Sequence, residues 1–273
     1  MTKHRKIELE EQWLDTIPNV GQNPFEFKNV YRTTATLDEC DWNMHLSNSS
    51  YAKILDSSRF ETAVQLWPLF FRSGGTLALG ATHFQFIREI PPLTNFEIRT
   101  YVGTWDKKWL YLVSKYVSKP KRRVPDKAKP LSPPDSTTGT PPPTRSILTE
   151  SDGAIVHTIA IAHLCFKANR ITVPPAFVLA TNGFSTFPYT SPTPYSARNP
   201  PPHWQKVKNI ASLKHGGSMR KFFKFMREGW KEVPEKERWW ETALGGEVET
   251  RRVLALAELE PLQKGLDAAL HVG

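Results

Sequence analysis

A carboxylate, a carboxamide and an imidazole occur within five residues, at Asp41, Asn43 and His45. The residues before this turn favour a strand and those after it favour a helix. Backbone N–H groups at a helix N-terminus have no partner inside the helix and carry positive partial charge, so they can stabilise an oxyanion. A carboxylate there can activate water or attack a carbonyl, and the amide and imidazole can orient it. The same residue types also crowd turns and helix caps for conformational reasons, and local chemistry alone favours that structural interpretation.

The elements on either side of the turn are predicted from composition and spacing. Residues 31–37 are rich in β-branched side chains and predict a strand. A helix is predicted over about 49–67, with Ser47 or Asn48 as its cap and Pro68 beyond its end. Apolar residues occur on several faces of this helix, which indicates that it is largely enclosed by other structure.

Four strands are predicted after the helix, at 77–88, 96–104, 109–117 and 154–166. A proline-rich, basic stretch at 119–146 separates the last two and is expected to be a disordered insertion. A strand, a long helix and four more strands predict an α+β domain, in which an antiparallel sheet wraps around a central helix.

The rest of the chain divides around this domain, which is assigned to residues 25–175. Residues 1–24 are a lead-in with a short amphipathic helix at 7–17, and residues 176–202 are a proline-rich linker. A helical, basic extension follows at 203–273. It is predicted to hold two or three helical segments, at 219–230, 236–244 and 247–270, and the last of these has apolar residues near helical spacing.

The net charge of +9 comes largely from two basic segments, 115–130 and 205–231. Such segments suit phosphates, anionic membranes or nucleic acid, although solvated surface faces are the favoured interpretation. No nucleic-acid-binding module is recognised, so nucleic acid is not expected as a partner. The basic and aromatic run at 219–231 could touch a membrane, an acyl carrier protein or coenzyme A, but a packed amphipathic helix is favoured.

Only two cysteines occur, Cys40 and Cys165, and they lie far apart without a metal-ligand spacing. We therefore expect no metal and no disulfide framework, and a reduced, cytoplasmic compartment. No apolar run approaches the roughly 20 residues that span a bilayer, and the basic start has no signal-like apolar core. His83, His157 and His163 lie in strand-like runs and are interpreted as core or edge histidines.

A longer pattern surrounds the three polar groups, and a helix containing Asp56-Ser-Ser-Arg59 follows it. The pattern reads Asp41-x-Asn43-x-His45-Leu46-Ser47-Asn48-x-x-Tyr51. It resembles the signature of the thioesterase-like branch of the hotdog superfamily, in particular thioesterase superfamily member 6-like proteins and fungal secondary-metabolite thioesterases. The resemblance covers about residues 25–172. There are two departures: Ser47 replaces the first of two usual asparagines, and Met44 stands where many members have glycine.

The resemblance implies a hotdog fold that acts, without a cofactor, on an acyl-thioester of coenzyme A or an acyl carrier protein. It also implies a homodimer. A non-catalytic acyl-CoA or lipid-binding module is the alternative. Hotdog enoyl-CoA hydratases place a proline after Asp-x-Asn and the histidine five residues after the aspartate. Here the histidine is four residues after Asp41 and the proline is absent, so hydration of a double bond is disfavoured.

The resemblance also assigns roles to particular residues. Asp41 becomes the main carboxylate, with Asn43 and His45 orienting it or the substrate. Plant acyl-carrier-protein thioesterases add a glutamate after the next strand, and Glu89 occupies a similar position as a candidate general base. A surface carboxylate paired with Arg88 is the other interpretation of Glu89.

The start of the central helix supplies the substrate-binding candidates, which are Asn48, Ser49 and Tyr51. Other hotdog thioesterases use a carboxylate within the central helix, which points to Asp56 or Glu61 instead. Asp56, however, is expected to pair with Arg59 or Lys53. These alternatives are decided by where the carboxylates lie relative to the turn.

Overall fold

The computed structural model describes residues 2–119, 149–186 and 193–269. The insertion predicted at 119–146 lies almost entirely outside these residues, as does part of the predicted linker. Within the described ranges, none of the helices is long and apolar enough to cross a membrane.

A six-stranded antiparallel sheet forms the centre of the molecule. Its strands are β1 (Lys28–Thr34), β2 (Thr76–Phe86), β3 (Asn95–Trp105), β4 (Leu110–Ser118), β5 (Ile155–Ala168) and β6 (Ile171–Val173). They lie in the order β1-β3-β4-β5-β2, and β6 pairs with the end of β5. All the predicted strands occur, with ends shifted by a few residues. The three-residue β6 was not predicted, because so short a strand leaves no periodic pattern.

Helices precede, cover and follow the sheet. They are α1 (Lys3–Asp15), α2 (Asn48–Leu66), α3 (Pro68–Arg72), α4 (Pro175–Thr181), α5 (Pro202–Ala211), α6 (Met219–Lys224), α7 (Trp230–Glu232), α8 (Trp239–Ala243) and α9 (Glu247–Ala269). A π-helical turn, Phe225–Gly229, joins α6 to α7. The helix predicted over 219–230 is therefore one continuous helical segment whose middle is widened by the π-turn.

The long helix α2 packs on the sheet. Its residues Tyr51, Ile54 and Leu55 share a buried cluster with Ile98 of β3 and Tyr116 of β4. The Tyr116 hydroxyl donates to the carbonyl of Tyr51 at 2.7 Å. This arrangement, with the strand order above, is the predicted α+β hotdog fold with a helical extension. That fold prediction is confirmed.

One flank of α2 is less enclosed than its sequence pattern predicts. Phe60 is 73% exposed, and Val64 is also exposed. Arg59 on the same helix donates to Thr82 Oγ1 on β2 at 2.8 Å, so α2 is tied to the edge strand beside this flank. The enclosure predicted for most of α2 therefore does not extend to Phe60 and Val64, whose side chains are open to solvent.

The predicted linker differs from the structure at its beginning. Residues 175–181 form α4, and Phe177, Val178 and Leu179 are fully buried. Pro175 stands in the first turn of this helix, where the missing N–H of proline removes no helix hydrogen bond. The prolines here begin a core helix and do not mark an unpacked connection.

The helical extension shares the largest buried cluster with the sheet. Trp204, Phe222, Met226 and Trp240 belong to the same cluster as Phe166 of β5. The packed interpretation of 219–231 therefore agrees with the structure. The basic side chains of Arg220, Lys221 and Lys224 are exposed on this packed segment.

Polar contacts join α1 to the helical extension. Glu11 accepts hydrogen bonds from Lys208 Nζ and Ser212 Oγ, both at 2.7 Å, and lies 3.2 Å from His215 Nε2. Burial by itself raises the pKa of Glu11, but these hydrogen bonds outweigh it and lower the pKa from 4.5 to about 2. The ionised carboxylate is therefore the form that stabilises this contact.

Replacing Glu11 with glutamine is expected to lower the free energy of unfolding at pH 7 by about 1.5–3 kcal/mol. Because folding lowers the pKa, this stabilisation is present above about pH 4.5 and is lost as the pH falls towards 2. Urea unfolding at pH 7, 5 and 3 measures the free energy of unfolding of wild type and variant. The difference between the two free energies should be smaller at pH 3 than at pH 7. Glu8→Gln on the exposed side of α1 is the matched control. A difference that stays constant with pH would contradict the assignment.

Candidate active site

The turn between β1 and α2 is closed by backbone hydrogen bonds. The N–H of Asp41 donates to the His45 carbonyl at 2.9 Å, and the N–H of Met44 donates to the Asp41 carbonyl at 3.0 Å. Cys40 and Leu46 form an antiparallel bridge at its base. The Asp41 side chain accepts from the N–H of Asn43 at 2.9 Å. The three polar residues thus belong to one closed loop, whose first carboxylate is held by its own turn.

Met44 occupies a backbone conformation that favours glycine. Its φ is 60°, in the left-handed region, which costs an L-residue roughly 1–2 kcal/mol. Its side chain is 61% exposed. The departure from the glycine of many family members is therefore tolerated because the side chain points outward and the loop hydrogen bonds hold the backbone. The turn keeps the conformation that a glycine would adopt.

Ser47, and not Asn48, caps α2. Its Oγ accepts from the N–H of Ser50 at 3.3 Å, and serine is among the preferred capping residues. The second departure from the family pattern therefore preserves the helix start. Asn48 and Ser49 are exposed in the first turn, whereas Tyr51 is buried.

The imidazole of His45 lies between two carboxylates. Its Nδ1 is 3.5 Å from Asp41 Oδ2, and its Nε2 is 3.6 Å from Glu89 Oε1. The side chain of His45 is mostly buried, whereas that of Glu89 is 74% exposed. Among the described residues Glu89 pairs with His45 and not with Arg88. The structure therefore brings together the side chains of Asp41, His45 and Glu89, three of the four residues predicted as catalytic. The fourth, Asn43, contacts Asp41 through its backbone N–H, and its side chain is exposed.

A contact between two segments brings Glu89 to the turn. The N–H of Leu46 donates to the carbonyl of Ile90 at 2.9 Å, so the residues after β2 run beside the motif. Residue types do not reveal this hydrogen bond, because both of its partners are backbone groups. Glu89 was predicted only through the family resemblance.

The carboxylates within α2 lie elsewhere. Asp56 pairs with Arg59, as predicted, and its side chain is mostly exposed. Glu61 accepts from Gln65 Nε2 at 3.2 Å. Both carboxylates therefore have partners on α2 itself.

An apolar cavity of about 350 Å³ lies between the second half of α2 and the first half of β2. Its lining includes Phe60, Ala63, Leu77, Leu79 and Leu164. Tyr51 and Phe86, whose rings pack at 5.2 Å, lie near the motif on the same pair of elements. The cavity was not predicted from the sequence, because its residues have the spacing of ordinary core positions.

Potential metal ligands do not gather at this site. In the ranges that the structure describes, no group of three or more His, Cys, Asp or Glu side chains is arranged to hold a metal ion.

The fold and the motif together define a member of a known family. Residues 35–180 match the model of the thioesterase-like superfamily, a match that spans more than half of the chain. The chain belongs to this superfamily, as the resemblance predicted.

Several known proteins are similar to part of this chain. Thioesterase poxG of Penicillium oxalicum is 30% identical over 188 residues, which cover 62% of this chain and 57% of that protein. Protein THEM6 of Danio rerio is 32% identical over 94 residues, which cover 34% of this chain and 46% of that protein. The chain thus spans about half the length of these relatives. A hypothetical protein from Staphylococcus aureus, solved in complex with CoA, is 14% identical with a TM-score of 0.40, over 57% of this chain and 81% of that one.

Proposed function

We propose that the chain hydrolyses an acyl thioester of coenzyme A or an acyl carrier protein to a free acid and a thiol. The observation that carries this proposal is the placement of Asp41 and Glu89 on either side of the His45 imidazole, at the start of α2. Membership of the thioesterase-like superfamily supports it. Thioester hydrolysis needs a carboxylate, an oxyanion site and water.

The thioester carbonyl is proposed to lie at the N-terminus of α2. The first-turn N–H groups, near Asn48 and Ser49, would then donate to the oxygen that becomes negative as the carbonyl is attacked. Asn43 and His45 would orient the Asp41 carboxylate. In this position Asp41 is the main carboxylate of the reaction.

Two routes use these groups, and both conserve atoms. In one, Asp41 attacks the thioester carbonyl carbon, the C–S bond breaks and the thiolate leaves; water then loses a proton to Glu89 and adds to the Asp41 carbonyl carbon of the anhydride, which releases the free acid, and the thiolate takes up the proton. In the other, a carboxylate accepts a proton from water, the water oxygen adds to the carbonyl carbon, and the departing sulfur takes up the proton. A single turnover in ¹⁸O-water distinguishes them, because only the first route places ¹⁸O in the Asp41 carboxylate.

The apolar cavity beside α2 is proposed to receive the acyl chain. Its lining is mainly aliphatic and aromatic, with the paired Asp56 and Arg59 also on its wall, and it lies along α2, which begins directly after the motif. Burying the apolar chain there would be favourable by about 0.8 kcal/mol for each methylene.

A homodimer is proposed for the active protein. β2 is an edge strand of the sheet; Leu79 on it is exposed beside Phe60 of α2, and Phe86 at its end is exposed as well. Long exposed edges with apolar side chains are normally covered, and a second copy of the chain offers a matching edge. Sedimentation equilibrium should then give twice the chain mass of 31.1 kDa. A monomer at all concentrations would contradict this arrangement.

The activity is tested with a panel of acyl-CoAs of different chain lengths, following the release of free thiol. Turnover of at least one acyl-CoA is expected for the wild-type chain. Saturable binding without thiol release would instead identify a non-catalytic acyl-CoA-binding module. Neither binding nor turnover, with acyl-CoA or acyl carrier protein, would contradict both functions.

A further inference from the structure

One residue of β5 holds the segment that carries Glu89. The backbone carbonyl of His157 accepts from the N–H groups of Ile87 and Arg88, both at 2.9 Å. The ring Nδ1 of the same histidine lies 2.9 Å from the carbonyl oxygen of Glu89. Three consecutive residues are thus bound to His157, whose side chain is buried.

The hydrogen bonds of the ring define its tautomer. A carbonyl oxygen only accepts, so Nδ1 must carry the hydrogen that is donated to Glu89. Nε2 then accepts from Ser118 Oγ at 2.8 Å, at the end of β4. Burial, the largest cause, lowers the pKa of His157 and favours this neutral ring. Ser118 therefore fixes the orientation in which His157 can hold Glu89.

The Glu89 carboxylate has little side-chain packing to hold it, because it is 74% exposed. Its position must come from the backbone. That backbone is fixed on one side by His157 and on the other by the hydrogen bond from Leu46 to Ile90. Hydrogen bonds to His157 of β5 and to Leu46 of the motif turn therefore hold consecutive residues of the same short segment.

We propose that His157, oriented by Ser118, is a positioning residue that places the Glu89 carboxylate against His45. This inference rests on the proposed function, in which Glu89 activates water. It assigns a role to a histidine that does not touch the substrate.

The test uses two amides that imitate different nitrogens of the ring. In His157→Asn the amide nitrogen falls near the position of Nδ1, so the hydrogen bond to Glu89 is kept. In His157→Gln it falls near Nε2, so that bond is lost. With the acyl-CoA that wild type hydrolyses best, we expect kcat of His157→Gln to fall about 10- to 100-fold at similar KM. His157→Asn should stay within about threefold of wild type, and Ser118→Ala should fall between the two.

A background lacking Glu89 separates positioning from a general structural defect. In Glu89→Gln, the added change His157→Gln should cause no further loss of kcat. Independent, multiplied losses would overturn the proposal, as would equal losses in His157→Asn and His157→Gln. Wild-type turnover in Glu89→Gln would remove the role of Glu89 and the proposal with it.

A readout without turnover keeps the two proposals distinguishable. Nitrogen-15 NMR should show His157 protonated at Nδ1 and not at Nε2. The ring resonances of His45 should shift in His157→Gln and stay close to wild type in His157→Asn. If wild type releases no thiol, the proposed function fails, and unchanged His45 resonances in His157→Gln would then overturn the positioning role separately.

Discussion

Asp41→Asn is expected to lower kcat for acyl-CoA hydrolysis by about 10²- to 10⁴-fold, the range that a positioned carboxylate contributes as a base. In the wild-type protein the N–H of Asn43 donates to Asp41 Oδ1 at 2.9 Å. Asparagine keeps an oxygen that can accept this hydrogen bond, so the turn should keep its shape. What is lost is the negative charge and the basicity beside His45. KM should therefore change little, and thermal melting should match that of wild type.

Asp38→Asn is the matched control for this substitution. Asp38 is exposed three residues earlier in the same connection and contributes the same formal charge without facing His45. Its variant should hydrolyse acyl-CoA at close to the wild-type rate. Equal losses in both variants would indicate a general effect of charge, and full activity of Asp41→Asn on every chain length would remove Asp41 as the main carboxylate.

Asn182→Leu is expected to lower the free energy of unfolding by about 2–4 kcal/mol, because two buried N–H groups would lose their acceptor. Asn182 ends α4 and is fully buried. Its Oδ1 accepts from the N–H groups of Leu69 and Phe70 at 2.9 and 3.4 Å, in the first turn of α3. The side chain thus caps a helix more than a hundred residues earlier in the chain.

Urea unfolding at neutral pH measures this loss. Asn209→Leu, at an exposed position of α5, is the control and should change the unfolding free energy by less than about 0.5 kcal/mol. Should the two variants unfold at the same urea concentration as wild type, α4 would not have the structural role assigned to it.

Local pattern was sufficient for much of the fold. The start of α2 was predicted because capping by Ser47 and the spacing of apolar residues are both local features. The strands were predicted because alternation and β-branching act over a few residues. α4 was not predicted, since its burial depends on contacts such as that of Phe177 with Trp240, whose rings pack at 5.3 Å. Nothing near Phe177 in sequence shows that aromatic partner.

The candidate site divides in the same way. Asp41, Asn43 and His45 are visible as a group because they lie in one turn. The distance of 3.6 Å between His45 and Glu89 depends on a backbone hydrogen bond between Leu46 and Ile90. The types of the side chains do not indicate this hydrogen bond. His157 was interpreted as a core or edge histidine, and it is indeed buried. Its hydrogen bond to a distant carbonyl could not be read from a strand pattern.

The contact between Glu11 and Lys208 has a consequence for folding during synthesis. These residues are 197 positions apart, so α1 leaves the ribosome long before its partner helix. Leu14 and Ile17 belong to the main buried cluster of the folded protein, and they are synthesised before most of the residues that bury them. Closing such a long loop is slow, and exposed apolar surface favours association with other chains. We therefore expect α1 to pack late in folding, after α5 has emerged.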